Sequence, residues 1–238
     1  AAGPDGRGTR LVMDFKYQLP QPQWAVVGDE LVVTVSKIFN WATLNSVSQG
    51  VSYGHQRRGI AAGPLVINYL DIRIADPGLE FYSVLGQDQI FGRETVSSMA
   101  LRSQAIAAVN GVYFATDGRP LGVLAINGQL VTEPFAGRTA VGLGKNTVVM
   151  GSLDATGTVT TPWGSFNITG MNRPRLENDL ILYTQHYGPV TGTNIYGVDV
   201  VVRDQIVEAV YTGGARIPPD AVVLSGHGTA RNFLAQLK

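Results

Sequence analysis

The sequence predicts an α+β protein, β-rich, with mixed and antiparallel sheets, few helices, and a small all-β module in front. Three observations carry this. Apolar runs are short and mostly separated by Gly, Asn or Asp. Asn127-Gly128 lies between two such runs, and Asn-Gly is the strongest short hairpin signal. Helical patterning is confined to Thr95–Val109 and Ala230–Lys238. Runs of strands with segregated helices fit α+β.

Taken in order, residues 1–9 are polar and Gly-rich, a frayed tail by composition. Arg10–Phe15 alternates and reads as a strand that Pro20 and Pro22 break. Val26-Val27, Gly28-Asp29 and Leu31–Val35 read as a hairpin with a Gly-Asp turn. Residues 40–59 hold Asn, Ser, His55 and Arg57-Arg58 with little periodicity, and read as a linker or crossover. The expected organisation is therefore a β module with its linker over 1–55 and a second domain over 56–238.

In that second block, Leu65–Ile74 is strongly strand-like, Pro77-Gly78 turns it, and Leu79–Leu85 returns. The helix over Thr95–Val109 has Thr95 as N-cap, Met99, Leu101, Ile106 and Val109 for apolar contact, and Gly111 at C′. Strands then follow at Val112–Ala115, Leu121–Ile126 and Gln129–Val131, with turns at Asp117-Gly118 and Asn127-Gly128. Further strands recur at Thr139–Leu143, Thr147–Met150, Thr158–Thr161, Asp179–Thr184, Tyr196–Arg203, Ile206–Tyr211 and Ala221–Leu224. The last helix is short and depends on packing. It either docks as a terminal element, or the domain continues in residues this chain lacks.

Composition narrows the function classes. The 238 residues suffice for one or two domains. With 45% apolar residues and a mean hydropathy of +0.09, the chain folds rather than staying disordered. Eighteen basic residues balance eighteen acidic ones, so no global field draws it to nucleic acid or anionic lipid. Charged residues are only 15%, so Thr, Ser, Asn, Gln and Gly must cover the surface, as in secreted bacterial β-rich proteins. The absence of cysteine removes disulfides, thiol catalysis and thiolate metal sites. No apolar run reaches the ~18 residues of a membrane span, so no transmembrane segment is expected. Ala1-Ala2-Gly3-Pro4 fits the residues after a small-residue cleavage site, and fits a proteolytic end equally well.

Several residues carry candidate chemistry, each beside a plainer role. Glu94, just before the helix, either favours the helix dipole or serves as a general acid or base. Asn110 either caps the helix or orients a sugar hydroxyl. Tyr113 and Phe114 alternate on a strand, so one is core and the other a stacking wall for a sugar. Asp117 fits a turn residue. Arg138 either forms a bidentate pair with phosphate or is a surface arginine; Arg173 and Arg175 carry the same two readings. Ser225-Gly226-His227-Gly228-Thr229, between a strand and a helix, reads as an anion site with His227 as proton carrier, or as a plain turn. His55 and His186 are isolated and lack metal-ligand spacing, so neither a metal nor a cofactor is expected.

GRETVSSMALRSQAIAAVNGVYF, then GRPLGVLAINGQLV and GRTAVGLG, resembles the phosphodiester glycosidase family, the family of the uncovering enzyme N-acetylglucosamine-1-phosphodiester alpha-N-acetylglucosaminidase. NRPRLENDLILYTQHYG and VVLSGHGTARNFL look like its bacterial, mostly exported members. The resemblance covers roughly residues 60–238. It implies hydrolysis of a sugar-1-phosphodiester in a surface glycan or polymer, outside the cell or at its envelope. The implied roles are acid/base or water positioning for Glu94 or His227, phosphate contact for Arg138 and the amides at His227 and Gly228, and sugar contact for Asn110. The partner implied is a carbohydrate or sugar-phosphate polymer. The family's later Asp-Gly-Gly-Gly-Ser type motif is absent from this sequence. Either a second fragment of the same protein carries the rest of the domain, or the rest is absent and the activity with it. The alternative is a noncatalytic glycan-binding or envelope structural protein. The leading β unit is similar to cell-envelope modules, which implies attachment to wall glycans.

Overall fold

The computed structural model describes residues 11–135 and 137–237. Strands hold 42% of residues and helices 8%, so the chain is a β-rich α+β protein. It divides into two compact units after Gly78, where composition alone suggested a division after residue 55.

In the first unit, β1 (Gln23–Val27) and β2 (Glu30–Thr34) form the anticipated hairpin around Gly28, whose φ of 63° suits the turn. Next comes an antiparallel meander of β3 (Phe39–Ser48), β4 (Val51–Ile60) and β5 (Gly63–Ile72). The stretch expected to be a linker over 40–59 is thus two long strands. Its sheet is solvated along most of β3, so no apolar period of two marks it. Cross-strand polar pairs tie it together, among them Gln56 Nε2 to Asn40 Oδ1 at 2.6 Å and Tyr53 hydroxyl to Asn68 Oδ1 at 2.7 Å. Gly54 lies beneath the Tyr69 ring, where a Cβ would collide with it. Leu11–Phe15 forms no strand despite its alternation. Arg10 and the tail over 1–9 lie outside the described residues.

The second unit contains α1 (Val96–Arg102), β6 (Leu124–Ile126), β7 (Gln129–Thr132), β8 (Thr139–Leu143), β9 (Val148–Ser152), β10 (Gly157–Thr161), β11 (Gly164–Ile168), β12 (Gly170–Met171), β13 (Leu180–Tyr183), β14 (Val198–Arg203), β15 (Ile206–Tyr211), β16 (Val222–Gly226) and α2 (Thr229–Leu234). Its main sheet has the order β12-β13-β16-β14-β15. It is mixed: β12 runs parallel to β13, and the remaining pairs are antiparallel. Period-two alternation splits each central strand between two cores. Leu180, Val198, Val200 and Leu224 pack with Ala230 and Leu234 of α2. Ile181, Tyr183, Val201 and Val223 pack with Ala215, Ile217 and Ala221 on the opposite side. A smaller core of Leu85, Ile90 and Val131 lies beneath β6 and β7.

Several expected elements of this unit are shorter or absent, among them the following. The helix read over Thr95–Val109 stops at Arg102, and Gln104 follows with φ 54°. No residue of α1 is buried, so no packing extends it past two turns. Asn110-Gly111 is consequently not a helix cap. Leu79–Leu85 forms no strand, although Leu85 is buried. Within Val112–Ala115 only the Phe114–Pro120 bridge forms. Leu121–Ile126 shortens to β6.

Candidate functional site

Thr95 caps α1 as its residue type predicts: its Oγ1 accepts from the Ser98 amide at 3.2 Å. Glu94, one residue earlier, is tied down on both oxygens. Arg102 Nε donates to each at 3.1 Å and its NH2 to Oε2 at 2.9 Å. The Ser98 hydroxyl adds a bond to Oε1 at 2.7 Å, and the Gln87 amide one to Oε2 at 2.8 Å. Arg102 also reaches Asp88 at 2.7 Å and the Leu85 carbonyl at 2.6 Å. Ser98 and Arg102 lie four residues apart on one face of α1, and Glu94, just before the cap, meets both.

These donors, Arg102 foremost, then Gln87 and Ser98, lower the Glu94 pKa to about 2. Glu94 therefore stays ionised through the neutral range, with its lone pairs occupied. It holds the start of α1 to the 85–88 turn. A depressed pKa means its stabilisation is fully present above about 4.5, the ordinary value, and fades as pH falls toward 2. Accordingly, the stability difference between wild type and Glu94→Gln should be constant above that range and shrink below it. Chemical unfolding at stepped pH measures this. A difference that changes between pH 6 and 8 would refute the assignment.

The hairpin over 113–121 sits against this loop. Leu121 N donates to Tyr113 O and Ala115 N to Arg119 O, each at 2.8 Å. Gly118, with φ 93°, lets the turn meet the Gly92 carbonyl where any Cβ would collide. Asp117 Oδ1 accepts from the Arg119 amide at 3.0 Å, a turn role. Tyr113 and Phe114 are both exposed, so neither is the core residue expected of the pair. Each meets an arginine instead: the Arg138 guanidinium lies 4.9 Å from the Tyr113 ring centre, and that of Arg93 lies 5.9 Å from Phe114.

Arg138 also lies 5.1 Å from the Phe135 ring. Two aromatic rings thus hold one guanidinium, each contact contributing about 0.5–1 kcal/mol at an exposed site. Among the described residues, no carboxylate pairs with Arg138, in contrast to Arg102, Arg173 and Arg203. Its N–H fork stays open to a ligand. Phe135 lies in the same turn as Arg138, whose amide donates to its carbonyl at 3.1 Å; Tyr113 is the ring brought from a distance in sequence.

The other two candidate arginines face inward. Arg173 binds Asp179 at 2.6 Å and Glu133 at 3.0 Å. Burial alone raises the Asp179 pKa, but Arg173, Leu176 N and Thr169 outweigh it and leave it lowered. Arg175 reaches Ser225 at 2.8 Å, Asn194 Oδ1 at 2.8 Å and Asp199 at 3.3 Å. Neither the phosphate nor the surface reading holds for these two: both clamp the fold.

His227 stands where β16 turns into α2. Its amide donates to Asp179 O at 2.9 Å, and its Nδ1 accepts from the Asn178 amide at 3.4 Å, which assigns the neutral ring's proton to Nε2. Gly228 has φ 58° and leaves no room for a Cβ beside Asn178. Backbone geometry accounts for Gly228, and α2 is too short for an anion site of its own. The structure brings Tyr113 and Arg138 together; Glu94 joins Arg102, and His227 joins Asn178, in separate clusters. Asn110 is exposed. A cavity of about 170 Å³ beside Arg102, Asp88 and His186 is smaller than ordinary ligand pockets of ~300–1,000 Å³. Among the described residues, no group of three or more His, Asp or Glu side chains is placed to hold a metal ion, and no helix is long and apolar enough to cross a membrane.

No family model and no curated protein matches the chain. Two crystal structures share its fold. One is a hypothetical protein from Synechocystis, with TM-score 0.69 and 18% identity, matched over 88% of this chain and 42% of that one. The other is a "Putative exported protein" from Burkholderia pseudomallei K96243, with TM-score 0.67 and 17% identity, matched over 96% of this chain and 69% of that one. The chain thus spans less than half of the first and about two thirds of the second, and the likeness shows the fold.

Proposed function

We propose that this protein recognises a phosphate-linked sugar outside the cell or at its envelope, and that it is a hydrolase of the sugar-1-phosphodiester bond. One observation carries the reading: the Arg138 guanidinium, held over Tyr113 and Phe135 without a carboxylate partner. A guanidinium fork matches two phosphate oxygens, and an exposed aromatic ring matches an apolar sugar face. In the reaction, water attacks the anomeric carbon, the C1–O bond breaks, and a phosphomonoester leaves. That leaving group is a weak base, so it needs charge stabilisation more than a proton. Arg138 supplies that charge, and the attacking water's proton passes to solvent. An exported neighbour of the same fold supports the location. The noncatalytic glycan-binding reading has its own support, because both Glu94 oxygens already accept hydrogen bonds from Arg102, Ser98 and Gln87.

N-acetylglucosamine 1-phosphate and its methyl diester test both. Titration calorimetry should show binding that Arg138→Ala weakens about 10- to 150-fold, the value of a hydrogen bond to a charged group. Arg138→Lys should restore only part, since a point charge replaces the fork. Release of free sugar from the diester, lost in Arg138→Ala, supports the hydrolase. Binding without release leaves the binding protein. No binding by the folded wild type sinks both.

A further inference from the structure

We infer that Asn110 is a site of spontaneous covalent modification, with water as the only co-reactant. The inference does not depend on the sugar-phosphate reading. The Gly111 amide loses its proton to base and attacks the Asn110 carboxamide carbon. A bond forms between Gly111 N and Asn110 Cγ, the Cγ–Nδ2 bond breaks, and ammonia leaves. Water then opens the cyclic imide at either carbonyl, which gives aspartate or isoaspartate. Nothing is oxidised or reduced. The sequence contains Asn-Gly twice, at Asn110-Gly111 and Asn127-Gly128, and all four residues are exposed. Access to water therefore does not separate the two sites; backbone freedom does.

Ring closure requires rotation about the Cα–C bond of the asparagine, to bring the next amide onto its side chain. At Asn127 the fold opposes that rotation. Asn127 and Gly128 are held at φ 51° and 77° between the paired residues Ile126 and Gln129. Leu124 and Ile126 of the same hairpin pack against Leu85, Ile90 and Val131. Ring closure there must first unpair β6 from β7. Asn110 meets no such restraint. Residues 107–111 belong to no helix, strand or turn. Among the described residues, no backbone hydrogen bond engages the Gly111 amide, and a Cβ at Gly111 would meet no atom within 4 Å. The end of α1 at Arg102 leaves this segment free; a helix running on to Val109 would have held the Asn110 backbone. The product is a new carboxylate in a chain of zero net charge. As isoaspartate it also adds a methylene to the main chain, three residues before Tyr113, whose carbonyl accepts from Leu121 in the 113–121 hairpin.

Ageing of the folded chain at pH 8, followed by peptide mass spectrometry with fragmentation between Asn110 and Asn127, tests this. Asn110 should become one mass unit heavier at least about tenfold faster than Asn127, which reacts only when its hairpin opens. Heavy-oxygen water should label the product, and the rate should rise with pH as the Gly111 amide loses its proton more readily. Gly111→Ala, which has room for its methyl group, should slow the change by at least about tenfold, since only glycine leaves the attacking amide uncrowded. In urea, where the hairpin opens, the two asparagines should react at similar rates. Asn110 unchanged in the folded chain while both react in urea overturns the inference. So does Asn127 reacting as fast as Asn110 in the folded chain, or a Gly111→Ala chain that ages at the wild-type rate.

Discussion

Asp199→Ala is expected to lower stability by about 3–5 kcal/mol, the effect of breaking a buried ion pair from one side. Asp199 is fully buried, and the Arg175 side chain is 2% exposed. Its Oδ2 accepts from the Thr191 and Thr193 hydroxyls at 2.6 Å each and from the Ala215 amide at 3.1 Å. Its Oδ1 accepts from Ser225 and from Arg175. One carboxylate thereby joins β14, β16 and the loops carrying Thr191 and Ala215. Alanine would leave an uncompensated guanidinium and several unmet donors in the interior. For a domain of this size, each kcal/mol moves the melting point by about 2–4 °C, so the loss should reach about 6–20 °C. Asp199→Asn keeps the shape but presents an amide to hydroxyl donors, and should fall between. Thermal melts of the three proteins decide it. An alanine variant melting with wild type would mean that Arg175 finds water or another partner at no cost.

Leu234→Ala should cost about 2–5 kcal/mol, the range for a buried leucine whose cavity cannot fully collapse. Leu234 is fully buried and joins α2 to Leu180, Val198, Val200 and Leu224. A helix of six residues has little stability of its own. The loss should therefore appear first as fast exchange of the amides in α2, with Phe233 leaving its tilted contact on Phe166 at 5.5 Å. Gln236→Ala, on the exposed side of the same turn, should change neither melt nor exchange. Equal effects from both would show that this end of the chain frays regardless of its anchor.

Much of the main sheet is readable from local pattern. Val198–Arg203, Ile206–Tyr211 and Val222–Gly226 lie within two residues of where their apolar runs place them. The turn Asn127-Gly128 takes positive φ at both residues, 51° and 77°, as an Asn-Gly hairpin should. The meander over residues 39–72 was half hidden, because β3 and β4 mix polar and apolar residues on both faces. Their register shows only once three strands lie side by side. The candidate site divides the same way. Ser98 and Arg102 share a helical spacing visible in the sequence, and the Phe135–Arg138 turn is local as well, whereas Tyr113 reaches Arg138 only through the path of the chain.

Period-two alternation and turn residues act over a few neighbours, and they were enough to establish the β-rich α+β class and several of the hairpins, while the sheet order came only with the tertiary structure. Where each charge goes is a long-range matter. Arg138, Arg173 and Arg175 look alike along the chain, yet one stacks on aromatic rings at the surface and two are consumed by Asp179 and Asp199. The length of α1 is likewise beyond local pattern, because a helix extends only as far as something packs against it. Folding assigns partners across dozens of residues: among the described residues, Arg138 gains no carboxylate, while Arg173 and Arg175 hold the sheet together.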